Sequence, residues 1–224
     1  MTANVELEQP PITYQGQFGA FTIEETDRQD VVWYRAGLAI AALSFGLGTL
    51  GILRYGEVDW VVQGVSVLYT IFWLGLGLSL LKIHIYLRPL HRLLQAFWLV
   101  GGVASLAIAH FSPEPFALTV YHQPTTLWGV GFTFAALTGV FFKEGFCFNR
   151  VETKVLTPIV PFLLLGHLFQ FLPTAWEAML LAFWAINFGI FALRKVIQPI
   201  PPDIGDKSVF DYLEQQRQPS ASSV

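Results

Sequence analysis

The residues of this 224-residue chain that could do chemistry are few, and most lie inside apolar runs. His110 and His167 fall at nearly matching depth in two such runs. Facing axial histidines of that kind can hold a haem. Two isolated histidines without a repeated spacing are a weak form of the signal, and a histidine satisfied by hydrogen bonds is the commoner state. His84 and His91 sit at one edge beside Lys82 and Arg92, and His122 lies in a loop. Cys147 is the one cysteine, so no disulfide can form within the chain. The sequence holds no H-E-x-x-H, C-x-x-C, G-x-S-x-G or Walker pattern, and Ser44, Ser66, Ser79 and Ser105 lack a nucleophile setting. It therefore assigns no catalytic residue, no metal ligand and no cofactor.

Polar side chains inside apolar runs are costly to desolvate and usually face a bundle interior. One group, Ser79, Gln95, Thr138 and Asn187, belongs to the inner half. A second, Gln63, Ser66, Ser105, His110, Thr133, His167, Gln170 and Glu177, comes from five runs at similar depth in the outer half. Together these could line a small polar cavity open to the outside. The plainer alternative, that each is satisfied by a neighbouring carbonyl or side chain, is the leading one. His167 lies about 9 Å inside the boundary at 1.5 Å per residue, with Glu177 and Gln170 as its nearest candidate partners. Its leading role is that of a core hydrogen-bonding residue, ahead of cavity lining and of chromophore ligation.

The elements that must position these groups are set by composition. Hydrophobic residues make up 54% of the chain and charged residues 13%, about half the charge of ordinary soluble domains. Six apolar segments, near 35–53, 60–81, 93–111, 125–142, 155–173 and 175–194, each approach the roughly 20 residues a spanning helix needs. None alternates as a barrel strand would. The expected fold is all-α, a polytopic bundle of about six helices, with the last two joined as a tight hairpin at Leu172–Thr174. Twelve of the 13 Lys and Arg residues fall on one predicted face and only Arg54 on the other, which places both termini in the cytoplasm. Gly131, Ala135 and Gly139, like Gly101, Ser105 and Ala109, recur every four residues, as small residues do where helices approach closely.

Residues 31–198 form the expected membrane domain, between an acidic tail at 1–30 and a proline-rich, amphipathic tail at 199–224. Within the first tail, Thr13–Ile23 alternates like a short hairpin. After Pro199, Pro201 and Pro202, residues 206–217 have helical spacing. The N-terminus is too acidic for a targeting sequence, and neither charge nor basic blocks suggest nucleic acid.

Between the fourth and fifth segments lies a charged connection with Lys143, Glu144, Arg150, Glu152 and Lys154. Their alternating signs suit a compact ion-paired loop, either a solvated connector or a docking surface for a partner. Pro158 and Pro161 are read as lying near a helix start, where proline is tolerated. The run F-K-E-G-F-C-F-N-R at 142–150, followed by E-T-K-x-L-T-P and L-L-L-G-H-L, resembles an uncharacterised integral membrane protein family of cyanobacteria and plastids, over about residues 10–200. The resemblance implies a multi-pass protein of a plasma or thylakoid membrane. It carries no activity and no site residues. The leading expectation is a non-enzymatic structural or assembly component whose partners are the lipid bilayer and other membrane proteins. The alternative is a small-solute transporter or channel.

Overall fold

The computed structural model describes residues 12–217. Residues Val32–Gln198 form one compact unit. Six helices among the described residues are long and apolar enough to cross a membrane. In chain order the helices are α1 (Glu25–Tyr55), α2 (Asp59–Lys82), α3 (Arg88–Phe111), the short connecting α4 (Phe116–His122), α5 (Leu127–Phe148), α6 (Val151–Leu168) and α7 (Thr174–Ile197). The all-α, polytopic expectation is therefore correct. Several helices overrun the apolar segments: α1 begins at Glu25 rather than near 35, and α5 reaches Phe148 rather than 142. Backbone hydrogen bonding does not stop where hydrocarbon does, so charged residues continue a helix beyond its apolar stretch.

That extension changes two local readings. Between α5 and α6 only Asn149 and Arg150 remain, so the expected charged loop is a two-residue turn. Asn149 caps α5 in the left-handed region (φ 52°), which asparagine tolerates better than most residues. Because α6 starts at Val151, Pro158 and Pro161 sit inside the helix and not in its first turn. Neither can supply the N–H that the carbonyl four residues earlier would receive, so Lys154 and Thr157 lose their usual partners.

Large rings fill the interior. Phe45, Phe72, Phe134 and Trp184 meet with centroids 4.3–6.1 Å apart, and Phe141 lies 5.2 Å from Phe188 and 5.6 Å from Phe191. Such offset and edge contacts add to the burial of large apolar surfaces.

Helices α2 and α3 are clasped by tryptophans. Trp73 Nε1 donates to the Trp98 carbonyl (3.0 Å) and Trp98 Nε1 donates to the Trp73 carbonyl (2.8 Å), with the rings stacked at 4.4 Å. Each ring lies over the glycine one turn beyond its partner. A Cβ at Gly77 would enter the Trp98 ring, and one at Gly102 would enter the Trp73 ring.

The described chain ends form a second unit. Strands β1 (Thr13–Gln15) and β2 (Ala20–Thr22) pair antiparallel, with Tyr14 opposite Phe21. The C-terminal part contains α8 (Pro201–Ile204) and α9 (Ser208–Arg217). Phe18 stacks on Tyr212 at 4.0 Å, and Lys207 pairs with Asp27 at 2.7 Å.

Candidate functional site

The densest polar chemistry lies at the end of the bundle that carries the α5–α6 turn. Glu144, on the last turns of α5, is 1% exposed and accepts three hydrogen bonds. Tyr34 Oη of α1 and Lys143 Nζ donate to Oε1 at 2.9 and 2.8 Å, and Lys195 Nζ of α7 donates to Oε2 at 2.7 Å. Lys195 is fully buried, and its ammonium also sits 4.3 Å from the centre of the Phe148 ring. A lone charge at that burial would be prohibitively costly, so the arrangement stands only as a paired unit.

Two further links surround it. Arg194 Nη1 reaches both oxygens of Glu152 at 2.8 and 2.9 Å, joining α7 to α6. Arg150 Nη2 donates to Gln198 Oε1 at 2.6 Å, and Arg35 Nη1 donates to the Gln198 carbonyl at 2.8 Å. The Nη1 of Arg150 is buried without a hydrogen-bond partner. Of the five charged residues read as one loop, only Lys143 and Glu144 pair with each other. Glu144 and Glu152 turn toward α7, whereas Lys154 is exposed. Tyr34, Arg194, Lys195 and Gln198 join these contacts from distant elements, and no local spacing in the sequence marks them.

At the other end, His167 near the end of α6 bridges two elements. Its Nδ1 lies 2.9 Å from Glu177 Oε1 of α7, its Nε2 lies 3.0 Å from the Tyr121 carbonyl of α4, and its ring stacks on the Tyr121 ring at 5.1 Å. Both ring nitrogens lie within hydrogen-bond distance of an oxygen, so the ring ties α6 to α7 and to α4. Gln170 is not a partner. It occupies the left-handed position (φ 55°) of the turn that ends α6, where the Phe171 N–H bonds to the Gly166 carbonyl and the Gln170 N–H to that of His167.

The other outer polar residues separate into local contacts. Ser66 donates to the Val62 carbonyl and receives the Ala117 N–H. Ser105 and Thr133 both contact Tyr69 Oη, at 2.7 and 3.1 Å, which ties α2, α3 and α5. Gln63 and His110 are exposed on the bundle surface, His110 edge-on to Phe111. The structure thus joins His167 with Glu177 and leaves Gln63, Ser66, His110 and Gln170 apart from them. Among the described residues no group of three His, Cys, Asp or Glu side chains is placed to hold a metal ion.

Residues 78–212 match the family model described as uncharacterized integral membrane protein (DUF2301), which is more than half of the chain. The chain belongs to this family. The matched region includes α3 to α8 and both acids of the buried clusters, whereas Tyr34 comes from outside it. No curated protein and no solved structure matches the chain. The family description establishes a multi-pass integral membrane protein seated in a lipid bilayer and assigns no activity.

Proposed function

We propose that the protein is a non-enzymatic structural or assembly component of its membrane. The observation that carries this reading is the filled interior: Phe45, Phe72, Phe134, Trp184, Phe141 and Phe188 meet ring to ring across the helices. A solute crossing the bundle would have to displace several of these rings. The buried charges support the same reading, since Glu144 and Lys195 pair with each other and Glu152 pairs with the more exposed Arg194. What faces outward at that end is apolar and basic, with Phe146, Cys147, Val151 and Lys154 exposed. This rim suits a partner better than the inward-turned acids do.

The Lys and Arg distribution supports cytoplasmic placement of both termini and of this rim. An impermeant maleimide is therefore expected to label Cys147 only after permeabilisation, and labelling in intact cells would reverse the orientation. Mild-detergent purification from native membranes tests the function. A stoichiometric membrane partner supports assembly, and its repeated absence under conditions that preserve other complexes refutes it.

One observation favours a transporter as the second reading, the prolines inside α6, because transport sites often use interrupted helices. Solute flux into proteoliposomes that is lost in the His167→Leu variant would establish that alternative.

A further inference from the structure

The outward side of the α5–α6 pair carries a groove along its length. Nearest the α5–α6 turn is a hollow of about 450 Å³ bordered by Phe142, Gly145, Asn149, Lys154, Thr157 and Pro158. One turn further along both helices is a hollow of about 320 Å³ bordered by Gly131, Ala135, Thr138, Pro161, Leu164 and Leu168. The small-residue strip of α5 explains the space. Gly139 is filled by Leu94 of α3, whereas a Cβ at Gly131 would meet nothing within 4 Å. The strip therefore packs against the bundle at one position and opens to the membrane at another.

The two ends of the groove differ in chemistry. The inner hollow is apolar and lies at membrane depth. The hollow at the turn has a lysine, Lys154, whose ammonium makes no ion pair or side-chain hydrogen bond among the described residues, and Asn149 whose amide is likewise unengaged. Beside them are the backbone carbonyls of Lys154 and Thr157, deprived of helical donors by Pro158 and Pro161. Such carbonyls require another donor where water is scarce. The groove thus offers one positive charge and surplus acceptors at its mouth, followed by an apolar channel.

We propose that this groove holds an anionic membrane lipid with a hydroxyl-bearing headgroup, its charge on Lys154, its hydroxyls on the freed carbonyls and one acyl chain reaching Leu164 and Ala135 in the inner hollow. From Lys154 to Leu164, which borders the inner hollow together with Ala135, the helix rises about 15 Å at 1.5 Å per residue, matching the roughly 15 Å of hydrocarbon in one leaflet. A partner's apolar helix would fill the channel but would leave both the lysine and the carbonyls unsatisfied. A zwitterionic choline lipid would place a fixed cation near Lys154 and offer no hydroxyl donor.

The test uses the full chain in nanodiscs and phosphatidylglycerol as the probe, against phosphatidylcholine with the same chains. Native mass spectrometry is expected to show one phosphatidylglycerol retained per chain. Lys154→Gln should weaken that retention about fivefold, the equivalent of one lysine near an anionic surface, without changing phosphatidylcholine. Ala135→Leu, which narrows the inner hollow where the chain ends and whose folding is checked by its melting temperature, should reduce retention of both lipids. Equal retention of the two lipids, or an unchanged Lys154→Gln variant, overturns the headgroup assignment. Unchanged retention in a folded Ala135→Leu variant overturns the chain assignment, and a stoichiometric protein helix in the groove overturns the proposal as a whole.

Discussion

Glu144→Gln is the most demanding test of how this bundle is fastened. The substitution keeps shape and volume but replaces one acceptor oxygen by an NH2 group and removes the charge that faces Lys195. Adding the three hydrogen bonds separately, at about 1.5–3 kcal/mol each for charged groups, would overstate the loss. Lys143 is 10% exposed and can turn toward solvent, while Lys195 keeps its place over the Phe148 ring. The governing quantity is therefore the cost of breaking one buried pair, about 3–5 kcal/mol. Lys143→Met should cost less, about 1–2 kcal/mol, because Tyr34 and Lys195 still hold the carboxylate. Reversible unfolding in mixed micelles, followed by tryptophan fluorescence, would measure both. The double variant Glu144→Leu with Lys195→Met should be less damaged than the sum of its singles by about 2–3 kcal/mol. A loss below about 1 kcal/mol for Glu144→Gln, or strict additivity in the cycle, would refute the clamp.

Three further predictions concern other elements. Gln170→Gly should stabilise the protein by about 1 kcal/mol, since glycine occupies the left-handed turn without the strain a side chain adds; thermal unfolding in detergent reads this directly. His167→Leu should cost about 2–4 kcal/mol, because it strands the Glu177 carboxylate and the Tyr121 carbonyl; an unchanged melting temperature with lost function would instead mark His167 as a functional residue. The Gln17 N–H and the Ser208 hydroxyl and N–H bonds hold the Asp206 carboxyl below the usual aspartate range. A depressed carboxyl contributes stability that is full above its unfolded value and disappears as pH falls through the folded one. Amide-exchange protection at Gln17 and Ser208, corrected for intrinsic rates, should therefore fall on acidification below the ordinary aspartate range, and Asp206→Asn should flatten that dependence.

The six spanning helices were legible because twenty apolar residues in a row have few alternatives, and a sequence of 13% charge separates them cleanly. The polar clamp was not legible for the opposite reason. Glu144 finds Lys195 and Tyr34 at separations of 51 and 110 residues, and no local spacing connects them. Treating charges as loop markers ends α5 too early and starts α6 too late, which places Pro158 and Pro161 near an end they do not occupy. The His167–Glu177 contact was within reach because a tight turn brings the end of α6 beside the start of α7. Gln170 misled because a polar residue in an apolar run resembles a site, while the turn that requires its backbone usually signals itself by glycine. A usable sequence signal is W-x-x-x-G, present at Trp73–Gly77 and Trp98–Gly102, where each glycine makes room for the other helix's indole.

These pieces meet on α6. It is the shortest of the spanning helices, and its two prolines leave it fewer internal hydrogen bonds than its length would give. Its rigidity must come from its ends. Near the α5–α6 turn, Glu152 ties it to Arg194 of α7, and Arg150 holds the entering chain to Gln198. At the other end, the left-handed turn at Gln170 and the His167 bridge fix it to α7 and α4. Between those fixed points, α6 leaves α5 uncovered along Gly131 and Ala135. A helix pinned at both ends and uncovered in the middle keeps a groove open without needing the groove to contribute stability. Weakening the pins should therefore alter lipid retention even though none of their residues lines the groove, and Glu152→Gln with Lys154 intact is the variant that separates support from contact.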